Sequence, residues 1–179
     1  MKSLMKFFAL AVAILGFSAN SFGQESATAN ATGTIVTPIA IELTSTATNG
    51  GNMNFGNVAV QSSTAGTVEL TPAGTRNATD GVTLPAVPGA VSAASFDVTG
   101  ANSYTYSITL PSSTTTVTSG ANEMTVDTWT STPTEADGGT LNASGAQTIK
   151  VGATLHIAAA QPAGEYVSST PFTVTVNYN

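Results

Sequence analysis

Residues 171–179 read P-F-T-V-T-V-N-Y-N. Phe172, Val174, Val176 and Tyr178 share one parity, and Thr173, Thr175, Asn177 and Asn179 share the other. Successive side chains of a strand point to opposite faces, so the stretch is expected to be a half-buried β-strand reaching the last residue. Burying four such side chains is worth roughly 6–12 kcal/mol, at about 1.5–3 kcal/mol each. That much apolar strand needs a sheet to close. It either completes the chain's own sheet or serves another molecule's, which makes Phe172, Val174, Val176 and Tyr178 a candidate assembly strand.

The opposite end reads as an address. Lys2 and Lys6 supply a basic region, Phe7 to Phe17 an apolar core, and Ser21-Phe22-Gly23 small residues at a cleavage site. Residues 1–23 are therefore expected to be a signal peptide, with export to the periplasm, cell surface or exterior. The apolar run is short for a bilayer span, and no other segment qualifies as one.

Residues 24–179 are long enough for one domain with a real core. In that stretch Arg76 and Lys150 stand alone against ten Asp and Glu, a net charge of −8. No basic footprint exists for nucleic acid or an anionic membrane surface. The chain has no cysteine, so packing and hydrogen bonds are left to hold an exported fold. Its polar surface comes from Thr, Ser and Asn, poor helix formers that suit strands and turns.

Taken in order, Ala27–Leu43 alternates as a first strand broken at Pro38. Met53–Val58 is a short strand kinked at Gly56, Thr67–Leu70 another, and Arg76–Gly81 a polar turn. Val82–Leu84 and Val91–Thr99 are extended, and Tyr104, Tyr106, Ile108 and Leu110 mark the clearest interior strand. Thr114–Thr118 and Glu123–Thr130 form a hairpin around residues 119–122, and residues 132–146 a loop. Ile149, Val151, Ala153, Leu155 and Ile157 then line one face of a long strand. About eight to ten short strands without an amphipathic helix predict an all-β, antiparallel, immunoglobulin-like β-sandwich, with a barrel as the alternative.

The segments N-F-G-N-V (54–58), S-T-A-G-T-V-E-L-T-P-A-G-T-R (63–76), V-S-A-A-S-F-D-V-T-G (91–100), Y-S-I-T-L-P (106–111), L-N-A-S-G-A-Q-T-I-K-V-G-A-T-L (141–155) and F-T-V-T-V-N-Y-N (172–179) resemble the bacterial family called domain of unknown function 4402. The resemblance covers nearly all of the chain after residue 23. It implies an exported β-sandwich and no assigned activity. A weaker similarity, through Phe55-Gly56, Gly164 and Tyr178, extends to spore-coat protein U and to chaperone–usher pilins. In pilins a neighbour's N-terminal segment completes the sheet by strand addition. Here the corresponding donor, Ala27, Ala29, Ala31 and Gly33, carries only methyl groups or less. At about 0.8 kcal/mol per buried CH₂ such a donor binds weakly, which favours a self-complete sandwich.

Candidate sites are few. His156 is the only histidine, so a Ser-His-Asp triad or a zinc site would both have to use it. Its parity, shared with Lys150, Gly152 and Thr154, reads as an exposed strand position. Glu123 and Asp127 share a face but stand roughly 13 Å apart at 3.3 Å per residue, too wide for a glycosidase pair. Glu135 and Asp137 before Gly138-Gly139 are the candidate calcium loop, without the spacing of a known calcium motif. No cofactor or metal is expected. The three Asn-X-Ser/Thr sequences at Asn30, Asn77 and Asn142 read as chance in a Thr- and Asn-rich chain.

Trp129 is the oddity. By plain alternation it joins Glu123, Thr125 and Asp127 on the polar face, where an indole beside carboxylates could grip sugars or a partner protein. A bulge would instead turn it inward. Two functions follow as expectations. The first is a non-enzymatic exported structural or surface protein, pilin-like, coat-like or adhesive, pairing strands with itself or with other surface proteins. The second is a glycan- or surface-ligand-binding module built on Trp129, Asp127 and Glu123.

Overall fold

The computed structural model describes residues 23–179. The expected signal peptide therefore lies outside the described residues, save for Gly23. By internal contacts the chain divides into two units, Met1–Ile35 and Val36–Asn179. In the first, residues 23–35 carry no helix or strand and are exposed. The strand expected from Ala27 does not form there, and pairing starts only beyond Pro38. Alanine methyl groups return little for the backbone entropy that ordering costs, about 1–2 kcal/mol per residue.

The second unit carries the strands β1 Ala40–Leu43, β2 Asn54–Phe55, β3 Ala59–Val60, β4 Gly66–Leu70, β5 Arg76–Asp80, β6 Val82–Thr83, β7 Val91–Ser92 and β8 Ala94–Thr99. It continues with β9 Thr105–Thr109, β10 Thr115–Ser119, β11 Asn122–Thr132, β12 Gly139–Thr140, β13 Ala146–Ile157, β14 Val167–Ser168 and β15 Thr175–Tyr178. Every pairing is antiparallel. An eight-stranded sheet runs β1-β8-β13-β11-β10-β14, with β4 and then β5 branching from β13. A three-stranded sheet is ordered β12-β9-β15, and β2–β7 and β3–β6 form two-stranded ladders. The fold is all-β and antiparallel, as the alternation predicts.

Strand β13 organises the large sheet. Along one edge it pairs with β11. Along the other it pairs with β8 from Ala146 to Val151, then with β4 from Ala153 to Ile157. Gly152 sits where the neighbour changes, and a Cβ there would collide with the Leu70 carbonyl oxygen and with the Thr71–Pro72 backbone. Only glycine lets the two strands part so close to β13.

The same switch divides the core. Ile149 and Val151 of β13 join Ala94 and Val98 of β8, and face Tyr106 and Ile108 of β9 and Val176 of β15. The large and the three-stranded sheets thus close on each other across this first cluster. Ala153, Leu155 and Ile157 join a second cluster with Val68 of β4, Val82 of β6 and Met124 and Val126 of β11, which the short ladders cover with Phe55 and Val60. In the first cluster Tyr106 is fully buried, and its Oη donates to Gln147 Oε1 at 2.8 Å. Burial pushes the phenol up to about 12, so it stays a donor.

Two expectations are corrected. Arg76–Gly81 is not a turn: Arg76–Asp80 is strand β5, ladder-paired to β4. Its R-N-A-T-D sequence shows no apolar face because the strand lies at the sheet's edge, held by the ladder and by contacts such as Thr67 Oγ1 to Thr79 Oγ1 at 2.8 Å. Within the expected 132–146 loop, β12 pairs with β9 and Leu141 is 1% exposed, a core residue. A two-residue ladder is too short to announce itself by period.

Candidate functional site

The last strand is shorter than expected, since only Thr175–Tyr178 pairs and residues 171–174 lead into it without a ladder, but the alternation of burial runs through both. Val174 and Val176 are buried, and Phe172 and Tyr178 are half-buried against the first cluster. The ladder with β9 covers Thr175 to Tyr178. Asn179 N–H donates to the Thr105 carbonyl, and Leu141 N–H donates to the Tyr104 carbonyl across the other edge of β9. Bonded pairs recur every second residue in an antiparallel ladder, so Thr175 and Asn177 turn their peptide groups toward β9. Val176 and Tyr178 turn theirs away, to an edge where no strand pairs among the described residues. The Tyr178 hydroxyl accepts from Ala101 N–H at 2.6 Å and donates to the Thr37 carbonyl at 2.8 Å, which ties the strand's end down. All four candidate assembly residues thus spend their side chains inside the fold, and the strand's second edge, with β1 nearby, carries no ladder.

Trp129 is placed by an irregularity in β11. Asp127 pairs with Thr154 and Thr130 with Gly152, so two residues of β11 oppose one of β13. Thr128 takes up the extra length with φ 51°, a left-handed conformation costly for a β-branched residue. Inward parity changes across this bulge: Met124 and Val126 are buried before it, Ser131 after it. The indole consequently turns inward and is half-buried against both core clusters. Its Nε1 donates to the Ser113 carbonyl at 3.3 Å, and its ring packs on Phe172 at 4.5 Å between centroids. The polar-face position expected from plain alternation is thereby replaced by the bulged one.

Asp127 stays on the outer face beside it. Its Oδ1 meets His156 Nε2 at 2.7 Å and accepts from Thr128 Oγ1 at 2.9 Å. The His156 hydrogen bond, working against partial desolvation and with lesser help from Thr128 and the histidine's charge, holds the carboxyl below the usual aspartate range. An open hollow of about 410 Å³ adjoins the pair, lined among others by Leu110, Pro111, Ser113, Asp127, Trp129 and Glu135. Glu123 does not reach it. That carboxylate lines a separate hollow of about 490 Å³ with Asp80 and His156. The predicted trio is therefore split: Asp127 and Trp129 meet, and Glu123 stands apart.

Glu135, expected only as part of a calcium loop, takes the vacant place. Its Oε1 accepts from Leu110 N–H at 3.1 Å, while Asp137 is engaged by Thr134. No sequence spacing links residues 110, 127 and 135; the turn at residues 133–138 brings them together. Among the described residues no three His, Cys, Asp or Glu side chains converge as a metal site would require. No helix among them is long and apolar enough to cross a membrane.

A family model described as "Domain of unknown function (DUF4402)" matches residues 43–178. The chain belongs to this family. The match begins within β1 and ends on Tyr178, so it spans both core clusters, the bulge and the last strand. Neither a curated protein nor a solved structure matches the chain.

Proposed function

We propose that the chain is an exported, non-enzymatic structural or cell-surface protein, of a pilin-like or coat-like kind, that associates through the edge of β15. The observation that carries this reading is the outward direction of the Val176 and Tyr178 peptide groups on a strand with no ladder partner on that side. Unpaired N–H and C=O groups in a row are a template for another strand. An incoming segment would add main-chain hydrogen bonds to them, the mode of recognition by strand addition. A second copy of the chain or another surface protein could supply it. The basic and apolar pattern of residues 1–23 supports export, with the periplasm, surface or exterior as destination. The acidic balance after residue 23 argues against nucleic acid as the partner.

The test uses the chain from Gln24 to Asn179. Wild type is expected to form multimers on sedimentation at high concentration, resistant to mild SDS. Val176→Pro removes one outward N–H, fills its place with the ring, and leaves the β15–β9 bonds standing. It also replaces a buried core side chain, so it is expected to lose about 1–3 kcal/mol of stability while staying folded, and to become monomeric. Asn177→Pro removes an inward N–H and is expected to lose the last strand. A wild-type chain that stays monomeric throughout, or a Val176→Pro chain that still assembles, overturns the reading.

A further inference from the structure

The hollow beside Trp129 answers to different chemistry from the edge of β15. The indole of Trp129 lines the hollow together with Leu110 and Pro111, beside the hydroxyls of Ser112, Ser113 and Thr128 and the carboxylates of Asp127 and Glu135. Asp127 is oriented by His156 and Thr128 through Oδ1, and Oδ2 carries no hydrogen bond among the described residues. Glu135 is oriented by Leu110 N–H through Oε1, and its Oε2 is likewise unengaged. Each carboxylate is thus held in place by one oxygen and presents the other. The indole is locked as well, by its bond to the Ser113 carbonyl and its packing on Phe172. Groups fixed before a ligand arrives lose little on binding it.

From this arrangement we infer that the hollow is a binding site for a neutral oligosaccharide. An aromatic face takes the C–H side of a pyranose ring, and fixed carboxylate oxygens accept from its hydroxyls. The hydroxyls of Ser112 and Ser113 can donate to the ring's oxygens or accept from its hydroxyls, and Thr128, whose proton is on Asp127, can accept. A ligand that uses all three kinds of group must carry donors, acceptors and an apolar face, and a sugar does. A cationic peptide could satisfy the carboxylates and the indole as well, so a tetralysine peptide serves as the competing probe below. A volume of about 410 Å³ accommodates one or two sugar rings of a longer chain. Glu123, in its separate hollow, takes no part. The site is independent of strand pairing, and Val176→Pro leaves it whole.

Trp129 is the only tryptophan, so its emission reports on this hollow directly. The chain from Gln24 to Asn179 is applied to an array of neutral and acidic oligosaccharides, and the best neutral hit is titrated against tryptophan emission. A tetralysine peptide is titrated in parallel. A saturable change with the neutral sugar is expected. Ser112 and Glu135 are exposed, so substitutions there spare the core. Ser112→Arg is expected to abolish binding by filling the hollow, and Glu135→Ala to weaken it by about tenfold or more, both with an unchanged melting temperature. The inference fails if no neutral oligosaccharide binds, if binding survives Ser112→Arg, or if tetralysine or an acidic sugar alone binds.

Discussion

The rings of Trp129 and Phe172 pack at 4.5 Å between centroids with their planes 38° apart, and so join the bulge of β11 to the segment that leads into β15. Phe172 in turn meets Phe96 of β8 edge-on at 6.3 Å. Phe96 and Phe172 pack against the first core cluster and Trp129 against both, so this chain of three rings leads from the first cluster to the border of the second. The wall of the hollow and the entry to the last strand therefore share one support. A disturbance at Phe172 reaches both.

Phe172→Ala tests that support. Truncating a fully buried phenylalanine costs about 3–5 kcal/mol, and Phe172 is half-buried, so about 2–3 kcal/mol is expected by urea unfolding. The emission of Trp129 should move to longer wavelength as water reaches the uncovered ring face. Combined with Trp129→Ala, the double-mutant cycle should give a coupling of about 0.5–1.5 kcal/mol. Additive single effects would show that the rings touch without supporting each other.

Gly152→Ala probes the place where β13 changes neighbours. The new methyl group would strike the Leu70 carbonyl oxygen and the Thr71–Pro72 backbone, which cannot swing aside as a side chain can. Overpacking of this kind is expected to cost about 3 kcal/mol or more. Thr154→Ala, on the outer face of the same strand, should stay within about 0.5 kcal/mol of wild type. Equal stability of the two variants would mean that β4 and β8 have room to move apart.

These two sites also mark where reading by period stops. Ile149 to Ile157 announce β13 because five apolar residues alternate, and the structure buries all five. The β10–β11 hairpin is legible for the same reason, and so is the last strand from Thr175 on, though not its start, since residues 171–174 alternate without pairing. The fork at Gly152 is not, since it depends on where Leu70 and Ala94 arrive from elsewhere in the chain. The bulge at Thr128 inserts a residue without changing the kinds of residue around it, so alternation alone puts Trp129 on the wrong face. Strand β5 offers only Ala78 to the core and carries no apolar period. Residues 27–36 show the opposite failure: a period is present, but alanine gives it too little to bury. Of the candidate site, Asp127 and Trp129 were legible as neighbours. Glu135 was not, because only the folded loop brings it there.

Asp127 carries the pH dependence of the outer face. Its carboxyl titrates below the ordinary aspartate value of about 3.9, chiefly because His156 hydrogen-bonds the charged form. A depressed folded value means that the contribution to stability is fully present above the unfolded value and is lost as pH falls through the folded one. The pair is 45% and 34% exposed at its two side chains, so solvent screening keeps its worth under about 1 kcal/mol. Urea unfolding of wild type and Asp127→Asn should therefore differ at pH 5 and converge as pH falls below about 4. A difference that is the same at pH 5 and pH 2.5 would remove the ion pair as its source.

The alternation of peptide groups along β15 is open to direct measurement by amide hydrogen exchange. Asn177 N–H points to Ser107 on β9 and lies in the ladder, whereas Val176 N–H and Tyr178 N–H have no acceptor among the described residues. Exchange requires breaking whatever bond holds the proton, so in a dilute monomeric sample Asn177 should exchange about tenfold or more slowly than Val176 or Tyr178. The Val176 side chain is buried, which shields its amide from water without bonding it, so Tyr178 should be the faster of the two. Raising the concentration should slow Val176 and Tyr178 selectively if a second strand docks on them, and leave Asn177 as it was. Slow exchange at Val176 and Tyr178 already in the monomer would mean that this edge is closed by the chain itself, and strand addition would then have to use another edge of the fold.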